Sequence, residues 1–270
     1  MLLHVRHETR YEYEEPVRYS IQVLRLTPRA DPGQRLLAWQ VNTPGQRLEQ
    51  VDPFGNQTQV VTTEDPHRSL RILVSGLVEM DADSSPIPPG QGGLSPLAYL
   101  APTPLTRPDA ALRELAERHL GRHPPSRQSL MDLVRGIRAA VAYQPGITDV
   151  THSAAEALDL GAGVCQDQAH VLVACCRTAG VPARYVSGYF LDENSGEVAS
   201  HAWADVWLGP DQGWLSLDAT HAEQAGVRHC RLAVGRDYLD AAPVRGVRRG
   251  GGKESMTVAV RVTANQGEQQ

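Results

Sequence analysis

The stretch from Gly161 to Asp218 constrains the chain more than any other. It opens GAGVCQDQAHVLVACC, continues through ARYVSGYF and closes with HAWADVWLGPDQGWLSLD. Two glycines precede Cys165 and an apolar run follows it, so the spacing predicts a buried helix from Cys165 to Thr178, closed by Gly180 and Pro182. The Cys165 sulfur then sits at a helix N-terminus, where the macrodipole favours the thiolate over the thiol. Three later segments, ARYVSGYF, HAWADVWL and GWLSLDAT, read as strands, the last two joined through GPDQ as a hairpin. A cysteine-bearing helix packed on an antiparallel sheet sets the fold class as α+β.

Side-chain alternation decides what accompanies the sulfur. In HAWADVWL, His201, Trp203 and Asp205 share one face; in WLSLDA, Trp214, Ser216 and Asp218 do. If Leu208 pairs with Gly213, Trp203 lies opposite Asp218, and His201 is the diagonal neighbour at roughly 7–8 Å between Cα atoms. A carboxylate reaches an imidazole across that gap. Cys165, His201 and Asp218 are therefore the candidate nucleophile, general base and orienting carboxylate of acyl-transfer chemistry. His170 lies roughly 140° around the helix from Cys165 and reads as a buried, hydrogen-bonded residue rather than a rival base. Cys176 shares the face of Cys165 but is about 16 Å along the axis, too far for a disulfide. Asp167, in the first turn, reads as a helix cap. The Cys165 backbone N–H is the candidate oxyanion donor, with a second from the Tyr143–Gln144 region and Trp203 beside the cleft. Trp203, Trp207 and Trp214 suit either an aromatic wall facing substrate or ordinary sheet packing.

The rest of the chain divides around this stretch. Residues 1–85 carry short β-like runs separated by turn signals, an antiparallel β-sandwich domain in which DPFGN (Asp52 to Asn56) is a structural turn. A Pro- and Gly-rich linker covers 86–107. The catalytic core spans 108–240, beginning with amphipathic helices over Asp109–Leu120 and Ser126–Val141 and a short helix opened by a Ser153/Glu156 capping box. Residues 241–270 hold a turn-rich passage, a final strand SMTVAVRVTA and a polar tail expected to fray.

Composition narrows the function. With a net charge of −5 over 270 residues and scattered basic residues, the chain has no footprint for nucleic acid. Its N-terminus lacks the apolar core of a signal peptide and no run approaches membrane-spanning length, so the expected location is cytoplasmic and no membrane partner is expected. Four unevenly spaced cysteines do not form a disulfide framework or a paired zinc site. Without HExxH, P-loop or GxGxxG motifs, no metal or cofactor is expected.

These residues resemble the transglutaminase-like superfamily, specifically the bacterial proteins with a β-rich N-terminal region. The resemblance rests on YEYEEPVRYSIQVLRLTPR and DPFGN, on YQPGITDV, and on GVCQDQAH, RYVSGY, HAWADVW, GWLSLDAT and GRDYLDAAPVRG, covering nearly the whole chain. It implies a papain-like core in which Cys165, His201 and Asp218 match the family's catalytic triad. Two positions depart from the pattern: DATH replaces the usual DPTN, and Gln168 stands where an aromatic is common. No acidic cluster matches the calcium sites of animal transglutaminases. The implied activity is thioester formation at Cys165 from a peptide or glutamine amide, resolved by water (protease or amidase) or by an amine acceptor (transglutaminase). The implied partner is a peptide or protein substrate. The alternative is a non-catalytic protein- or peptide-binding module using the same cleft.

Overall fold

The computed structural model describes residues 1–81, 87–88, 93–121, 125–192 and 200–265. Parts of the predicted β region and linker (82–86 and 89–92), the polar loop 193–199 and the tail 266–270 predicted to fray lie outside these residues.

Strand β1, Leu2–Leu24, organises the N-terminal half. Its alternating sequence buries Leu3, Val5, His7, Thr9, Tyr11 and Tyr13 on one face and leaves the charged residues between them outward. At 23 residues it outruns any single partner. After it come β2 (Gln34–Asn42), β3 (Gln46–Val51), β4 (Gln57–Thr63) and β5 (His67–Met80). The first half of β1 pairs with β5 and the second with β4, and register shifts near Pro16 let the sheet curl.

Helix α1 (Ala110–Leu120) is capped by Asp109 and α2 (Arg127–Ala140) by Ser126. Strands β6 (Ala142–Tyr143) and β7 (Ala162–Gly163) pair in parallel around α3 (Ala154–Leu160), which carries the expected Ser153/Glu156 capping box. Helix α4 (Cys165–Thr178) leads to β8 (Ala183–Phe190), β9 (Ser200–Trp207), β10 (Trp214–Asp218), β11 (Glu223–Gln224) and β12 (His229–Gly235). The last elements are α5 (Tyr238–Ala241), β13 (Val244–Gly250) and β14 (Glu254–Asn265).

The second sheet has the order β11-β10-β9-β8-β12. Its hairpin register runs from Trp214↔Trp207 to Leu217↔Ala204, with the Leu208 N–H on the Gly213 carbonyl at 2.8 Å, and extending it sets Asp218 against Trp203 as the alternation required. Strands β12 and β13 were not expected: HCRLAVG is short and VRGVRRG is broken by glycines and arginines, so neither shows a strand pattern in isolation. Both β13 and β14 pair with β1, closing the chain back onto the N-terminal sheet.

The two sheets and the helices share one seam. Along β8, Ala183, Tyr185, Ser187 and Tyr189 point one way. Ala183 joins the core of α1, α2 and α4, with Leu130, Ile137, Leu172 and Ala204, whereas Tyr189 joins Leu3, Val5 and Val74 of the first sheet. Tyr185 and Ser187, between them, line an open space. The DPFGN turn locks this arrangement: buried Asn56 donates to the Val234 carbonyl and accepts its N–H, both at 2.8 Å. It is the structural turn its sequence predicts. Among the described residues no helix is long and apolar enough to cross a membrane.

Candidate active site

Helix α4 starts where it does because the residues before it cannot prolong α3. Gly161 ends α3 with φ +68°, and at Gly163 a Cβ would stand 2.6 Å from Asp167 Oδ2. That oxygen accepts the Val164 backbone N–H and the Thr148 hydroxyl, each at 2.7 Å, so Asp167 is the predicted cap. Buried Gln168 ties the next turn to both sides of the site. Its Nε2 donates to the Val141 carbonyl (2.8 Å) and its Oε1 accepts the Thr220 hydroxyl (2.7 Å), fixing the loop that follows β10. Cys165, the first residue of α4, remains half-buried, whereas Cys175, Cys176 and Cys230 are buried.

His201 and Asp218 meet with Nε2 to Oδ2 at 2.7 Å, both buried. With Nε2 on the carboxylate, Nδ1 is the ring nitrogen left for Cys165, which lines the same cavity. Burial opposes charge on the imidazole, but the bond to Asp218 and the neighbouring Cys165 outweigh it and push the pKa of His201 up to about 10. His201 is therefore held as imidazolium at neutral pH.

Asp218 carries more donors than the sequence suggested. Its Oδ2 also receives His221 Nδ1 (2.7 Å) and His229 Nε2 (3.0 Å), while Oδ1 accepts the N–H groups of Thr220 (2.8 Å) and His221 (3.2 Å). The Gly226 N–H donates to His229 Nδ1, which fixes Nε2 as the protonated nitrogen, and burial lowers the pKa of His229, keeping it neutral. Burial would raise the pKa of Asp218, but the three imidazoles together hold it far below the usual carboxylate range. The Phe190 ring stacks on His221 at 4.1 Å and closes the cluster. The ligand atoms of His201, Asp218 and His221 lie within 4.8 Å of one another, as do those of Asp218, Glu223 and His229. The hydrogen bonds to Asp218 account for the histidines in both groupings.

The remaining candidates divide. Tyr143 is 53% exposed, and burial together with the Cys165 charge raises its phenol pKa. Gln144 commits its backbone N–H to the Gly163 carbonyl at 2.7 Å, which removes that group as an oxyanion donor. Trp203 is not beside the cleft: it is 1% exposed and packs on His229, with Arg231 over its face. The room for its ring comes from Gly188, where a Cβ would strike it at 2.4 Å. Trp207 and Trp214 pack on each other at 5.2 Å, so the three tryptophans are sheet packing and form no substrate wall. His170 is buried as expected, its Nε2 accepting the Tyr238 N–H and its pKa lowered to about 3 by desolvation. Sequence reasoning missed His221 and His229 as partners of Asp218. The signal for His221 was its place three residues beyond the carboxylate; His229 opens a strand the pattern did not reveal.

Comparison with known proteins matches these elements to two regions. Residues 3–79 match the bacterial transglutaminase-like N-terminal region, and residues 113–219 match the transglutaminase-like superfamily. An uncharacterized protein of Mycobacterium leprae is 32% identical over 277 residues, covering 97% of this chain and 98% of that one. A protein-glutamine gamma-glutamyltransferase of Pseudomonas aeruginosa is 33% identical over 103 residues, 33% of this chain and 15% of that enzyme. Among solved structures, a protein of Cytophaga hutchinsonii described as a candidate cysteine protease superposes with a TM-score of 0.78 at 21% identity, covering 97% of this chain and 90% of that one. At that identity the likeness is one of fold.

Proposed function

This chain belongs to the transglutaminase-like superfamily, with the bacterial transglutaminase-like N-terminal region, and from that premise we propose that it transfers acyl groups from amides through a thioester on Cys165. The observation that carries the reading is the line from the Cys165 sulfur through the His201 ring to the buried Asp218 carboxylate.

The Cys165 thiolate attacks the amide carbonyl, forming an S–C bond, and the carbonyl oxygen gathers the negative charge. The Cys165 N–H, at the first position of α4, is a helix donor without an intrahelical partner and serves that oxygen. As the C–N bond breaks, His201 gives its proton to the departing amine. Water or an amine then attacks the thioester, His201 takes the proton of the newcomer, and Cys165 leaves as thiolate. Asp218 holds His201 through Nε2, in the tautomer and orientation that leave Nδ1 free to serve Cys165. The substrate class is a peptide or protein. Both a glutamyltransferase and a candidate protease stand among the relatives, in keeping with a thioester open to either acceptor.

The test is mass spectrometry of a glutamine-containing peptide incubated with the protein, with and without a primary amine. A product that depends on Cys165, hydrolysed in one arm or joined to the amine in the other, is expected and identifies the acceptor. The same products from Cys165→Ala would sink the proposal.

A further inference from the structure

A cavity of about 230 Å³ opens on Cys165 and His201 at the seam between the two sheets. It exceeds the roughly 150 Å³ of an apolar cavity that accommodates benzene, so it has room for a large side chain. Its near wall is core, Tyr185 and Tyr238. The far wall comes from the other sheet: Thr9 and Tyr11 of β1 and their cross-strand partners Val258 and Met256 of β14.

Three features of that wall bear on what it accepts. Met256 and Val258 are 55% and 46% exposed, apolar surface left uncovered beside a reactive sulfur. The alternation of β1 turns Glu8 outward, where it pairs with Arg71 at 2.8 Å, and Glu254, on the Met256 side of β14, is already engaged by Arg248 at 2.9 Å. His7, at the base of the wall, is kept neutral: burial lowers its pKa to about 4, and its ring nitrogens are engaged by the Tyr189 and Thr9 hydroxyls, each at 2.8 Å.

We infer that the β1–β14 wall selects substrate, and that this cavity receives a large uncharged apolar side chain flanking the acyl-donor carbonyl. A charged side chain there would lose its hydration, and among the described residues of the β1–β14 wall the nearest carboxylate, Glu254, is already paired with Arg248. The inference rests on the acyl-transfer reading above. It gives the N-terminal region a role in catalysis that does not depend on any of its residues touching the reacting atoms.

The test compares rates of Cys165 alkylation, read by intact mass, for two peptidyl chloromethyl ketones that differ in the flanking residue, leucine in one and aspartate in the other. Iodoacetamide, which has no side chain to place, runs in parallel. In the wild-type protein the leucine reagent is expected to react at least tenfold faster than the aspartate reagent. In Val258→Lys and Met256→Lys, both at exposed positions, that ratio is expected to fall toward one or invert. Because a ratio is read, a general change in thiol reactivity cancels. Equal rates in the wild type, or an undiminished preference in both variants, would overturn the inference. Failure of iodoacetamide to favour Cys165 over the buried cysteines would instead count against the acyl-transfer reading, so the two failures are separable.

Discussion

Asp205 and Asp218 are both fully buried carboxylates on neighbouring strands of one sheet, and they are neutralised by opposite means. Asp205 receives Arg184 (2.8 Å), Arg231 (2.6 Å) and the Ser216 hydroxyl (2.7 Å). Asp218 receives three histidines. In both, burial would favour the protonated acid, and in both the partners overcome it and lower the pKa. The partners differ in what they can do next. A guanidinium does not release its proton, so the Asp205 cluster is a fixed clamp on β8, β9, β10 and β12. An imidazole does, so the Asp218 cluster holds its carboxylate just as firmly while keeping a mobile proton on His201, in the cavity that Cys165 also lines.

The comparison is sharpened first at Asp218. Asp218→Asn keeps the shape but removes the charge that sustains the imidazolium, and the rate should fall by about 10⁴. The pH profile carries the same information. Because the folded pKa of His201 is raised from 6.5 to about 10, the imidazolium persists through neutral pH and is lost as pH rises through about 10. The stability it contributes is likewise present below about pH 6.5 and lost over that window. Rates measured from pH 6 to 11 should show an alkaline limb near 10 that moves down in Asp218→Asn; an unmoved limb would break the assignment.

Asp205→Ala should act on stability instead. It strands two buried guanidinium groups and is expected to cost about 3–5 kcal/mol in urea unfolding, with the rate per folded molecule changed little. Loss of rate without loss of stability would erase the distinction between the clusters. The smallest effect is at His221, one of three donors on Oδ2 and 34% exposed in its side chain. His221→Ala should slow the reaction about tenfold, discounted from a fully buried charged bond by solvent screening. A slowing as large as that of Asp218→Asn would mean that His221 does more than hold the carboxylate.

What the sequence disclosed follows the range of the interactions involved. Helix α4, its Asp167 cap and the β9–β10 hairpin are local, and strand alternation alone placed His201 within reach of Asp218. The donors His221 and His229 were missed for different reasons. His221 was visible in DATH, but nothing in the motif said which way its ring turns. His229 opens β12, whose seven residues became a strand through pairing with β8 rather than through their own pattern. The cavity was least visible, since its far wall joins Thr9 and Tyr11 to Val258 and Met256 from the opposite end of the chain. Trp203 was placed on the correct strand face but assigned to the cleft, and only Gly188 on the adjoining strand explains why its ring is buried.

The central claim, a thioester made at Cys165 with His201 as its proton carrier, is tested most directly by acylation. The protein is mixed at pH 7 with an activated ester such as p-nitrophenyl acetate and the modified cysteine mapped by mass spectrometry. One hydroxylamine-labile acyl group on Cys165 is predicted, forming at least about a hundredfold more slowly in His201→Ala, the typical worth of a positioned acid–base group. Acyl groups spread over Cys165 and other nucleophiles, or an unchanged rate in His201→Ala, would contradict it.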